Sequence, residues 1–239
     1  MAHQRPSVYS YQHTNPVNLL ASYRNPVDCL TAHLMLECSE VLAGVKPANL
    51  VSLVNRTRPC GRNLFDLWQH HGQQMAERIP QLEILVLQTR DRALLLLCFD
   101  RHHLTQHLSH AGIRTLLVKA GYMAESSTDQ LLHTLAERVV TSSGFPHEIG
   151  LFIGYPAKDV AAFMGLVNLP FTCQGPWKIF GNPARSLDLA NQFRSCRQMM
   201  NSLLSSGNQA LLQVRRSEHP FFQAFIDKDS QSLVHGGAA

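Results

Sequence analysis

The stretch Leu82–Phe99, LEILVLQTRDRALLLLCF, decides how this chain is read. It holds two apolar runs of strand length, Leu82–Gln88 and Ala93–Phe99, on either side of the polar residues Thr89-Arg90-Asp91-Arg92. Two such runs joined by a short polar link predict a hairpin. The second run shows no polar alternation, so both faces of its strand must be covered. Helices therefore have to lie against the sheet, and the flanking sequence supplies them.

Toward the N-terminus, Asn25-Pro26 offers a capping residue followed by a first-turn proline. Cys29, Leu30, Leu34, Cys38, Val41 and Leu42 follow at helical spacing, and Gly44 is placed to end that helix. The run KPANLVSLVN, Lys46–Asn55, carries an apolar cluster short enough to be a strand or a helical turn. Leu64–Arg78 reads as a helix with Leu64, Leu67, Trp68 and Met75 inward.

Toward the C-terminus, Asp100 is placed to cap a helix to about Ala111, with Gly112 as its stop. Arg114–Ala120 continues helically until Gly121-Tyr122. Ser127-Thr128-Asp129-Gln130 is a capping-box pattern, opening a helix with Leu131, Leu132, Leu135 and Val139 inside. Glu148–Ile153 is expected as a third strand. Pro156 begins a helix with Val160, Phe163 and Met164 inward. Cys173–Gly181 reads as a fourth strand, at an edge because Pro176 lacks an N–H. Asn182-Pro183 starts a long helix through Leu204, with Leu187, Ala190, Phe193, Arg197 and Met200 inward and Gly207 at its end.

The expected fold class is α+β, a single mixed sheet of about four strands packed with several helices. Residues 1–25 read as a poorly ordered arm, 26–215 as one domain, and 216–239 as a partly frayed extension.

Composition narrows the partners. The chain has 239 residues, 45% hydrophobic and 16% charged, with a net charge of +4 and 13 histidines. A charge so mild and evenly spread gives no reason to expect nucleic acid. No apolar run is long enough to span a bilayer, and the polar N-terminus lacks a signal-peptide core, so a cytoplasmic protein is expected. The six cysteines form no C-x-x-C pattern and read as free thiols.

Several side chains are chemically suggestive. His147-Glu148 could do acid/base work or hold a metal if the two converge. In a fully extended strand they point to opposite faces, and capping or an ion pair is the plainer role. Gly150 and Gly154 bracket an apolar run, and Gly154-Tyr155-Pro156 leads to a helix N-terminus, a place that attracts anions. A tight turn explains the same glycines. Trp177 could stack on a planar ligand while Lys178 meets its anionic group, or Trp177 could plug a sheet edge. His103, His107 and His110 share one face if their segment is helical, where they could bind a transition metal or haem iron, or form a solvated stripe. Cys173 and Cys196 could approach each other, but neither sits where its thiol would be activated.

Four blocks together resemble a known family. They are KPANLVSLVN (Lys46–Asn55), Gly121-Tyr122, FPHEIGLFIGYPAKDVAAF (Phe145–Phe163) and GPWKIFGNPARSLDLANQFRSC (Gly175–Cys196). Their order and content resemble the bacterial proteins grouped as domain of unknown function 3793, over about residues 28–207. The resemblance adds Lys46 and Asn49 to the ligand-binding candidates Gly154, Tyr155, Trp177 and Lys178. It assigns no role to any residue. It implies a setting near flavodoxin or ferrous-iron uptake. The His-rich run Asp100–His110 departs from the family pattern, which sets its histidines apart from any shared activity.

Three functional expectations follow. The first is an accessory factor binding a small ligand or a metal, iron or haem included, in iron or redox metabolism. The second is an enzyme with His147 as acid/base, Glu148 orienting it and Lys178 stabilising an anion. The third is a docking module for an acidic flavodoxin-like partner.

Overall fold

The structure, a computed structural model, describes residues 21–142 and 144–205. Most of the expected N-terminal arm, the helix stop at Gly207 and the C-terminal extension lie outside the described residues.

Helix α1 spans Pro26–Glu37, and the Asn25 side chain accepts the N–H groups of Val27 and Asp28. It is buried on nearly every side, through Leu30, Leu34 and Leu36 among others. The chain turns at Cys38 into the short α2, Ser39–Leu42, and leaves through Gly44 at φ 75°. Strand β1 is Ala48–Val54, so the ambiguous run is a strand. Helix α3 is Leu64–Arg78, capped by Asn63.

Strands β2, Glu83–Arg90, and β3, Ala93–Phe99, form the expected hairpin. The strands run closer to the turn than the polar link implied, leaving Asp91-Arg92 between them. A bulge between Val86 and Gln88 lets Leu87 turn inward. The order β1-β3-β2 puts β3 in the middle, antiparallel to both neighbours.

This placement explains the unbroken apolar run. Leu94, Leu96 and Cys98 face a first core cluster with α1 and α3; Leu97 and Phe99, with the half-buried Leu95, face a second. Alternate side chains of one strand serve opposite faces, so a strand covered on both sides is apolar throughout.

The second layer follows. Helices α4 (Arg101–Ser109) and α5 (Ala111–Lys119) lie before α6 (Thr128–Thr141). Ser127 and Gln130 close the expected capping box. Helices α7 (Ile149–Phe152) and α8 (Ala157–Phe163) complete this side. Strands β4 (Phe171–Gln174) and β5 (Lys178–Phe180) form a separate hairpin. Helix α9, Ala184–Ser205, starts beside that hairpin and reaches the first core cluster through Cys196, Met200 and Leu204. The Tyr23 hydroxyl donates to Leu204 O at 3.0 Å, and Arg197 pairs with Glu37 at 2.6 Å, fastening α9 across the layer.

Four expectations need correction. The fold is mixed α and β, but among the described residues the strands form two antiparallel sheets of three and two strands, not one mixed sheet of about four. The expected third strand, Glu148–Ile153, is the helical turn α7: Ile149 N–H donates to Pro146 O and Leu151 N–H to Glu148 O. An apolar run this short fits any fully buried element, and here all four residues of the turn are buried. The expected fourth strand folds back at Gly175-Pro176, pairing Gln174 with Lys178. Finally, the helix from Asp100 breaks at His110, which has extended ψ 129°, and Gly112 lies inside α5. Two inward assignments also fail, since Phe163 and Leu187 are exposed.

Candidate functional site

The segment from Phe145 to Phe163 and the β4–β5 hairpin face each other across a cavity of about 440 Å³. Its lining is mainly apolar, from Phe145, Ile149, Ile153, Val160 and Phe163, with Gly150 opening its floor. A β-carbon at Gly150 would come within 2.8 Å of Val160, so glycine is what lets α7 and α8 close together. Tyr155 and Trp177 form the inner wall, stacked at 4.5 Å between ring centroids and 28° between planes. His147, Gln174 and Lys178 supply polar atoms.

Asp159 fixes the hairpin against α8. Its side chain is 1% exposed, and four donors meet its carboxylate. Lys158 Nζ and Phe180 N–H donate to Oδ1 at 2.6 and 2.9 Å, while Trp177 Nε1 and the Ser186 hydroxyl donate to Oδ2 at 2.9 and 2.6 Å. Burial pushes this carboxyl up, but the hydrogen bonds outweigh it and hold the pKa below the usual value. The indole is thereby locked in place, with Phe193 against it at 6.0 Å.

His147 and Glu148 are divided by the helical turn. Successive residues of a helix point about 100° apart. His147 is exposed, lines the cavity, and lies on the Phe163 ring at 4.7 Å. Glu148 is buried away from the cavity lining, accepting from Arg138 Nη1 at 2.8 Å and from the Tyr122 hydroxyl at 3.3 Å. Burial and the Glu148 charge raise the Tyr122 pKa, and the Arg138 guanidinium stacks on the same ring at 4.5 Å. Glu148 thus anchors α6 to α7 and does not orient His147.

The other ligand-binding candidates also separate. Tyr155, Trp177 and Lys178 line the cavity with His147. Lys46 and Asn49 lie behind its wall. The buried Lys46 ammonium donates to Asn49 Oδ1 at 2.6 Å and sits 5.3 Å from the Tyr155 ring and 5.1 Å from Phe193. Burial lowers the Lys46 pKa, opposed by Glu40. Asn49 passes the contact on by donating to Glu37 O. Gly154 is a joint, not a lining residue: its φ is 76°, and a β-carbon there would come within 2.5 Å of the Pro47 ring. The helix beyond it is only seven residues long, and its first turn already carries Asp159.

The histidine trio is not a metal site. His110 lies past the end of α4, its ring edge-on to His107 at 6.4 Å. His107 Nε2 meets Leu151 O at 2.8 Å, burial lowering its pKa against that bond. Among the described residues no group of three or more His, Cys, Asp or Glu side chains is placed to hold a metal ion. The six cysteines are free; Cys173 lies against the cluster around Trp177 and Cys196 in the first core, where burial raises its pKa to about 12.

Sequence reasoning gave no role to Asp159, Ser186, Gln174 or Phe145. An aspartate in a first helical turn looks like an ordinary dipole partner, and only the hairpin reveals what it holds.

No curated protein and no solved structure matches the chain. Among the described residues no helix is long and apolar enough to cross a membrane. A family model does match, over residues 34–213, most of the chain and all four blocks above, and the chain belongs to the family described as Protein of unknown function (DUF3793).

Proposed function

We propose that this protein binds a small, largely apolar organic molecule in the cleft between α8 and the β4–β5 hairpin. The observation that carries the reading is the cavity itself. At about 440 Å³ it falls in the range of small-molecule sites. It has aromatic walls at Phe163 and the Tyr155–Trp177 stack, and a few polar groups beside them. Asp159 braces the hairpin through its hydrogen bonds, so the wall is held before any ligand arrives. The metal form of the sequence expectation finds no ligand set among the described residues, so the molecule proposed is organic. Binding is favoured over acid/base catalysis because Glu148 is committed to Arg138 and Tyr122. The setting in iron or redox metabolism, and a flavodoxin partner, come from the resemblance alone and draw nothing from this site.

The test uses the neutral dye N-phenyl-1-naphthylamine, whose fluorescence rises in apolar surroundings. The chain has two tryptophans, so Trp68→Phe leaves Trp177 as the sole energy donor to the dye. The expected result is saturable one-to-one binding with transfer from Trp177. Phe163→Ala should weaken binding about tenfold, the loss of roughly 1.4 kcal/mol of aromatic contact. Absence of transfer, or unchanged affinity in Phe163→Ala, refutes the cleft as a ligand site.

A further inference from the structure

The charges around the cleft specify the ligand further. We infer that the molecule bound there is an anion, a flat apolar body bearing a carboxylate, sulfonate or phosphate that Lys178 receives. This rests on the cleft reading above and adds the sign of the ligand's charge.

Among the described residues the lining has one carboxylate, Asp159, and one ammonium, Lys178. Both Asp159 oxygens are filled by four protein donors, and its charge is balanced by Lys158 at 2.6 Å. A cationic ligand would therefore find no available carboxylate in the lining.

Lys178 stands differently. Its ammonium lies 5.3 Å from the Phe163 ring, and among the described residues no carboxylate is within ion-pair distance of it. Register explains why it stays at the cleft. Lys178 pairs directly with Gln174 across the hairpin, so the two share one face. Ile179, next along the strand, turns into the interior instead. The fixed Trp177 immediately before Lys178 sets where the strand begins. The ammonium and the Gln174 amide thus stand beside an aromatic slot, the arrangement that suits a flat acid with rings inward and its charge at the mouth.

The experiment compares two dyes with the same ring system. 1-Anilinonaphthalene-8-sulfonate carries a sulfonate; N-phenyl-1-naphthylamine does not. Both are titrated into the Trp68→Phe protein at low salt, with transfer from Trp177 as the readout. The sulfonate is expected to bind roughly five- to tenfold tighter than the neutral dye, the usual scale for a charge-assisted contact at a partly exposed site. Lys178→Met keeps the side chain over Phe163 but removes the charge. It should abolish this preference, bringing the two dyes to equal affinity in the variant. Added salt should narrow the gap in the unmodified protein and not in Lys178→Met. Equal affinities in the unmodified protein, or a preference that survives Lys178→Met, overturn the anion inference while leaving the cleft intact. If neither dye binds with transfer from Trp177, the cleft reading and the inference fall together.

Discussion

Acidification should weaken this fold through one histidine. His33 sits on α1, 4% exposed, and its Nδ1 has no hydrogen-bond partner among the described residues. Burial lowers its pKa from 6.5 to about 4; Glu37 opposes this, while Arg58 and Arg197 add to it. The sign follows from linkage. Between pH 6.5 and about 4 the unfolded chain takes up a proton that the folded chain refuses. The stability held by neutral His33 is therefore complete above pH 6.5, is lost as pH falls toward 4, and declines no further below that. At about 1.4 kcal/mol per pH unit, the loss between pH 7.5 and 4.5 is about 2.5 kcal/mol.

The assay is urea unfolding of the unmodified protein and His33→Leu at both pH values. Leucine is close in size, and the Nδ1 it replaces makes no hydrogen bond. Glu37 contributes in the same direction. Burial pushes its carboxyl up, Arg197 outweighs that, and its net lowered pKa gives stability lost on acidification. The Arg197 part of that contribution is present in both proteins and cancels in the comparison; the smaller part due to His33 itself does not. The unmodified protein should lose about 2.5 kcal/mol more than His33→Leu, roughly 1 M in urea midpoint. Parallel losses in the two proteins would refute the claim that burial keeps His33 neutral.

Two further substitutions probe the frame of the cleft. Gly154→Ala forces a β-carbon onto the Pro47 ring at a φ of 76°, and should cost about 2 kcal/mol, a drop of roughly 4–8 °C in Tm by calorimetry; an unchanged Tm would mean the joint has slack. Asp159→Asn keeps one accepting oxygen but sets an amide NH2 against the other two donors, and should cost about 3 kcal/mol in denaturant unfolding. Trp177 emission should shift red in Trp68→Phe/Asp159→Asn as the indole is released, and emission that stays put would show that Asp159 does not hold it.

Local signals were readable from the chain. The Asn25 cap, the Ser127 capping box and the two-strand hairpin all rest on residues within a few positions of one another. The unbroken run on β3 also announced that both faces of the sheet are covered, because no polar residue survives there without a partner. The errors fell where a short apolar run could be either kind of element. Glu148–Ile153 and Cys173–Gly181 are too brief for their period to decide, and the surrounding core and the Gly175-Pro176 reversal decided instead.

The same division holds for the site. His147, Tyr155, Trp177 and Lys178 were picked out because aromatic, imidazole and ammonium groups declare their chemistry by type, and the structure gathers them around one cavity. Sequence neighbours do not have to share a direction, so Glu148 turned away to Arg138 and Tyr122. Lys46 and Asn49 went behind the wall. Asp159 gained its importance from Trp177, Phe180 and Ser186, which lie 18 to 27 positions further along. The chain by itself determined the helix caps, the hairpin and the strand covered on both faces, since these depend on near neighbours and on apolar pattern. Tertiary structure alone decided which side chains face the cleft and which brace it, because that depends on contacts between segments far apart in the chain.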